Sequence, residues 1–86
     1  MPEISRFYGI IIRMYFQDYN PPHFHAEYQG MKAEYAIGTL DILVGKMPRR
    51  ANALILEWAS KNRVELMNNW HKAIIPESMN PIEPLK

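Results

Sequence analysis

The chain has no cysteine. That excludes a disulfide scaffold, a thiolate zinc site and a thiol nucleophile together. It has almost no net charge: ten Lys and Arg stand against nine Asp and Glu, which leaves +1. Bulk charge therefore supplies no general attraction to nucleic acid or to an anionic membrane. It also lacks a long apolar run. Nothing approaches the roughly 18 residues of a membrane span, and Glu3 and Arg6 stand near the start without an apolar signal core. These absences lead us to expect a soluble, cytoplasmic protein with no membrane partner. What is present is ordinary for a globular chain, with 48% hydrophobic and 22% charged residues. A chain of 86 residues encloses one core and buries only roughly 60% of its unfolded surface.

The hydrophobic pattern changes period once. From Tyr8 to about Val44 it alternates, and alternate residues of a strand face opposite sides. Ile10, Ile12, Met14 and Phe16 are the apolar set of a first strand, with Arg13, Tyr15 and Gln17 on the other face. Asp18 to Pro22 breaks it, because two successive prolines donate no ladder hydrogen bonds. His23 to Gln29 reads as a second strand, with Phe24, Ala26 and Tyr28 inward and His23, His25 and Glu27 outward. Gln29-Gly30 suits a tight hairpin. A third strand spans Lys32 to Ile37, with Lys32 and Glu34 outward. Leu40, Ile42 and Val44 suggest a short fourth strand facing inward, with Asp41 outward.

After Gly45 the period becomes helical. Pro48 suits a first helical turn. Ala51, Leu54, Ile55, Trp58, Ala59, Leu66 and Trp70 form one apolar face, with Trp70 near the fraying end and partly exposed. The helix ends between Asn69 and Ile75, and Pro76 stops it. The expected fold is α+β: a three- to four-stranded antiparallel sheet followed by one long helix packed on one face. Residues 1–75 make a single domain, and residues 76–86, with Pro76, Pro81 and Pro84, make an extended tail.

One helix covers one sheet face, so the other is either wet or a binding surface. Its two histidines, an arginine and a tyrosine are an uncommon choice for a merely solvated surface. Histidine titrates near neutrality. His23 and His25 are therefore candidates for acid and base in a ribonuclease-like reaction. Arg13 would stabilise phosphorane charge and Tyr15 would stack on or hydrogen-bond a base. His25, in mid-strand, is the stronger of the two, since His23 beside Pro22 also suits a turn-capping role. The alternation projects His23, His25 and Glu27 to one side, about 6–7 Å apart. That is a ligand set for Zn²⁺ or another divalent metal, and Asp18 is close enough to add an oxygen. Lys46, Arg49 and Arg50 cluster where a helix begins, against its dipole, which makes them candidates for anion binding beside the plainer reading of a solvated edge.

Ile4-Ser5-Arg6-Phe7, Gly9 to Tyr15 and above all Pro21-Pro22-His23-Phe24-His25-Ala26-Glu27-Tyr28 resemble a bacterial family known only as domain of unknown function 4160. Leu40 to Gly45, Pro48-Arg49-Arg50-Ala51, Leu56 to Ala59 and the stretch holding Glu65, Leu66, Asn68, Asn69 and Trp70 match as well. The resemblance spans residue 2 to about residue 72. It implies a small bacterial protein often encoded beside a second small protein in a toxin–antitoxin-like pair, and it implies no established activity. Arg13, His23, His25, Glu27, Arg49 and Arg50 carry over as marked positions without an assigned chemistry. The expected partners are that second protein, RNA or a further copy of the chain.

Overall fold

The computed structural model describes residues 3–86. Five strands form one antiparallel meander, β1 Glu3–Phe7, β2 Ile10–Arg13, β3 His23–Tyr28, β4 Met31–Ala36 and β5 Ile42–Gly45, in the spatial order β1-β2-β3-β4-β5. Helices α1 Arg49–Lys61 and α2 Arg63–Ile74 follow. The α+β class and the antiparallel sheet agree with the sequence reading. The strand count and the single helix do not.

The additional strand is β1. Its pattern is obscured because the β1–β2 register shifts between Glu3 and Ser5, which makes Ile4 and Ser5 both buried. Tyr8 and Gly9 form the turn, with φ of 50° and 79°. Two successive positive φ values give the two-residue hairpin whose twist matches that of the strands. Gln29-Gly30 makes the same turn, at 48° and 81°, between the opposed residues Tyr28 and Met31. The first expected strand, drawn as far as Gln17, stops at Arg13. Phe16, expected inside, is 44% exposed.

The helical region divides at Asn62. Its side-chain Nδ2–H donates to the Trp58 carbonyl at 2.8 Å, and its backbone N–H donates to Ala59. Such local bonds compete with the helical ladder, and the chain leaves helical geometry there, at φ −127°. Pro48 is the residue before α1 rather than part of its first turn. Its carbonyl accepts the N–H of Asn52.

The core lies between the helices and one sheet face. Ile10, Ile12, Phe24, Ala26, Ala33 and Tyr35 meet Ala51, Ile55, Trp58, Ala59, Leu66 and Trp70. Phe24 stacks on Tyr35 at 5.3 Å and meets Trp58 edge-on at 5.9 Å. Trp70, expected to be partly exposed, is buried. Residues 77–86 have no regular secondary structure, yet they dock. The Ile82 N–H donates to the Ile4 carbonyl at 2.7 Å, Ser5 Oγ donates to the Ile82 carbonyl, and Trp58 Nε1 donates to the Glu83 carbonyl. The tail thus covers the outer edge of β1. Residues Ile42, Leu43 and Val44 of β5 are 39–54% exposed; Ile42 lies opposite the core residue Tyr35, on the expected side, but Val44, expected to face inward, does not. A register shift between Glu34 and Tyr35 places Val44 opposite Glu34, on the face that the helices leave open. Among the described residues, no helix is long and apolar enough to cross a membrane.

Candidate functional site

The register places side chains in rows across the open face. Arg13 lies opposite His25, His25 opposite Glu34 and Glu34 opposite Val44; Ile11, Glu27 and Lys32 form the adjacent row. The Arg13 guanidinium is paired with Glu27, both side chains being half-buried. Tyr15 sets its ring edge-on to His25, with centroids 4.5 Å apart. Together Ile11, Arg13, Tyr15, His25, Glu27 and Lys32 line a depression of roughly 130 Å³.

At one end of this face the loop Asp18–Pro22 brings a carboxylate to both histidines. His23 is 0% exposed, its ring 5.2 Å from Trp70 and 5.2 Å from Tyr19. Its Nδ1 lies 2.8 Å from the Pro21 carbonyl. A carbonyl only accepts, so Nδ1 carries the proton and donates. Nε2 lies 3.0 Å from Asp18 Oδ2, and His25 Nε2 lies 3.1 Å from that same oxygen. Glu34 Oε1 approaches His23 Nε2 to 3.6 Å and accepts the Tyr19 hydroxyl at 3.1 Å. Burial works against the Asp18 charge, but the His25 hydrogen bond, the Tyr19 backbone N–H and the two imidazoles outweigh it. The Asp18 carboxyl is therefore held below its ordinary range.

Of the residues singled out by sequence, Arg13, Tyr15, His25 and Glu27 meet around the depression. His23 is sealed beneath them with both ring nitrogens engaged. Glu27 turns to Arg13, and the carboxylates beside the histidines are those of Asp18 and Glu34. Lys46, Arg49 and Arg50 are exposed at the start of α1, which has neither a side-chain cap nor an acidic first turn. Arg50 lines a separate depression with Tyr8 and Tyr28, at the other end of β3 from His23. The roles of Glu34 and Tyr19 went unread. The Glu34 position follows from the hairpin: a two-residue turn at Gln29-Gly30 sets His25 against Glu34. Tyr19 leaves no such signal, because its position depends on the loop.

A five-strand meander with two helices on one face and a histidine–carboxylate cluster on the other defines a small α+β domain. The model of the family described as Domain of unknown function (DUF4160) matches residues 9–71, and the chain belongs to that family. No curated protein and no solved structure matches it.

Proposed function

We propose that the chain is a protein-binding module, the toxin-like member of a two-protein pair, which takes up a segment of its partner along β5 and the open sheet face. The observation that carries this reading is the asymmetry of the sheet edges. The outer edge of β1 is covered by the tail at Ile82. Beyond β5, among the described residues, no strand follows. Exposed edge strands are usually blunted by charge, proline or cover, because they template the addition of another strand. β5 instead presents Ile42, Leu43 and Val44, which suits strand addition by a polypeptide.

The charges of the face favour protein over RNA. Arg13 and Lys32 are matched by Glu27 and Glu34, and Arg13 is already paired. Affinity for a polyanion comes from unpaired protein cations displacing its condensed counterions into solution, and here there is little such gain. A polypeptide with complementary charges meets both signs.

Co-expression with the small protein of the neighbouring gene tests the reading. A stable complex is expected, lost in Leu43→Lys while that variant melts like the parent. No complex, or RNA binding that survives about 0.15 M salt, overturns it.

A further inference from the structure

Independently of any partner, we infer that Asp18, His23 and His25 form a divalent-metal site with Glu34 as its fourth ligand. Nδ1 of His23 must donate to the Pro21 carbonyl, so in the neutral ring Nε2 bears a lone pair. That lone pair faces Asp18 Oδ2, an acceptor, at 3.0 Å. Two acceptors at this distance require a positive species between them or on one of them. His25 Nε2 converges on the same oxygen, and Glu34 Oε1 stands 3.6 Å from His23 Nε2. Three electron-pair donors and a nearby fourth thus point at one small volume beside the sheet.

The spacing suits a metal. The Asp18, His23 and His25 ligand atoms all lie within 4.8 Å of one another. Around a tetrahedral ion with bonds of about 2.0–2.1 Å, ligand atoms stand about 3.4 Å apart. The contacts of 3.0, 3.1 and 3.6 Å bracket that value; Glu34 turns in to complete the set, and the two histidine nitrogens, within 4.8 Å of each other, close towards it. His25, a quarter exposed, is free to make that movement. His23 is fixed, its ring held by Trp70 and its Nδ1 by a backbone carbonyl. A second-nitrogen bond of this kind is how metal-binding histidines are oriented. The Tyr19 hydroxyl on Glu34 serves the fourth ligand in the same way. Two carboxylates balance a divalent charge, so a half-buried centre carries no net charge.

The donor set also selects the ion. Two imidazole nitrogens and two carboxylate oxygens suit Zn²⁺, Co²⁺, Fe²⁺ or Mn²⁺, and a chain without thiolates offers nothing to Cu⁺ that those ions lack. The competing account of the same geometry is a structural hydrogen-bond cluster that holds the Asp18–Pro22 loop and places a proton where the metal would sit.

Tag-free protein, stripped with a chelator and titrated with Zn²⁺ and with Co²⁺, distinguishes the two. One equivalent is expected to bind, with the visible absorption of tetrahedral Co²⁺ and an upward shift of the melting temperature. His25→Ala, which leaves the buried core untouched, is expected to weaken binding by a hundredfold or more. Glu34→Gln, which removes a ligand charge, is expected to weaken it about tenfold or more, and Tyr19→Phe about 10–100-fold, the range for supporting groups. Stoichiometry well below one in the parent, or equal affinity in parent and His25→Ala, overturns the site. Parental affinity in Glu34→Gln overturns the fourth ligand. Neither result depends on whether β5 binds a partner.

Discussion

The side chain of Asn69 holds both backbone polar groups of Asn80: its Nδ2–H donates to the Asn80 carbonyl at 2.8 Å, and its Oδ1 accepts the Asn80 N–H at 2.9 Å. Asn69 is 1% exposed. The tail is thereby joined to α2 before it reaches β1 and Trp58. Asn69→Ala leaves both Asn80 groups without their partner. We expect a loss of about 1–3 kcal/mol, read as a melting temperature lower by several degrees. Limited proteolysis should cut first near residues 77–81, where the released tail becomes accessible.

Ile82 provides the apolar part of the same attachment. It is 5% exposed and belongs to the core cluster. Ile82→Ala should cost about 2–4 kcal/mol, the range for truncating a buried aliphatic side chain. A tail that merely lay on the surface would lose less than about 0.5 kcal/mol. Chemical denaturation of the two proteins separates these values.

The two histidines should differ in kind. His23→Ala removes a fully buried ring from against Trp70 and leaves the Pro21 carbonyl and Asp18 short of partners. An expected cost of about 2–5 kcal/mol follows. His25→Ala, on the open face, should cost below about 1 kcal/mol. Thermal melts in the presence of chelator check the difference without any contribution from bound metal.

Much of this site was legible in the pattern. Alternation in β2, β3 and β4 placed Arg13, His25, Glu27 and Glu34 on one face, and Gln29-Gly30 implied the register that joins them. His23 also belongs to that alternation, but periodicity says nothing of burial by Trp70, which arrives from α2 some forty-seven residues later in the chain. The β1 strand was hidden by a register shift beside Glu3, and Val44 was misplaced by another beside Glu34. Each irregularity reverses the inside–outside pattern from that point on. The break at Asn62 was missed because the apolar spacing of Trp58, Leu66 and Trp70 continues across it. The local competition comes from a side-chain amide, which the spacing of apolar residues does not register.

Tyr35 gives the stability a dependence on alkaline pH. It is 0% exposed, its hydroxyl donates to Asn52 Oδ1 at 2.6 Å, and burial pushes it up from 10.0 to about 12. The unfolded tyrosine ionises first, so above that point the unfolded state holds fewer protons and stability falls as pH rises. The Tyr35 contribution is intact below about pH 10 and is lost as pH climbs towards 12. Tyr35→Phe should be less stable at neutral pH, through the lost hydrogen bond, and should show a shallower decline over that interval. Parallel slopes for the two proteins would contradict the assignment.

The attachment of β5 depends on one glycine. Gly45 has φ +87°, and a Cβ there would stand 2.2 Å from the Lys32 carbonyl oxygen and 3.1 Å from Ala33 Cα. Both obstacles are backbone, so β4 and β5 would have to separate. Gly30 has a similar φ, +81°, but a Cβ there meets nothing within 4 Å. Gly30→Ala therefore suffers only the left-handed penalty, about 1–2 kcal/mol. Gly45→Ala adds a steric clash to that strain, for about 2–5 kcal/mol in all. At about 4–8 °C per kcal/mol for a domain of this size, the two melts should be clearly resolved. Amide exchange should localise the additional loss to the β4–β5 ladder. Because β5 is the proposed docking edge, Gly45→Ala should also abolish the complex with the partner, while Gly30→Ala should retain it.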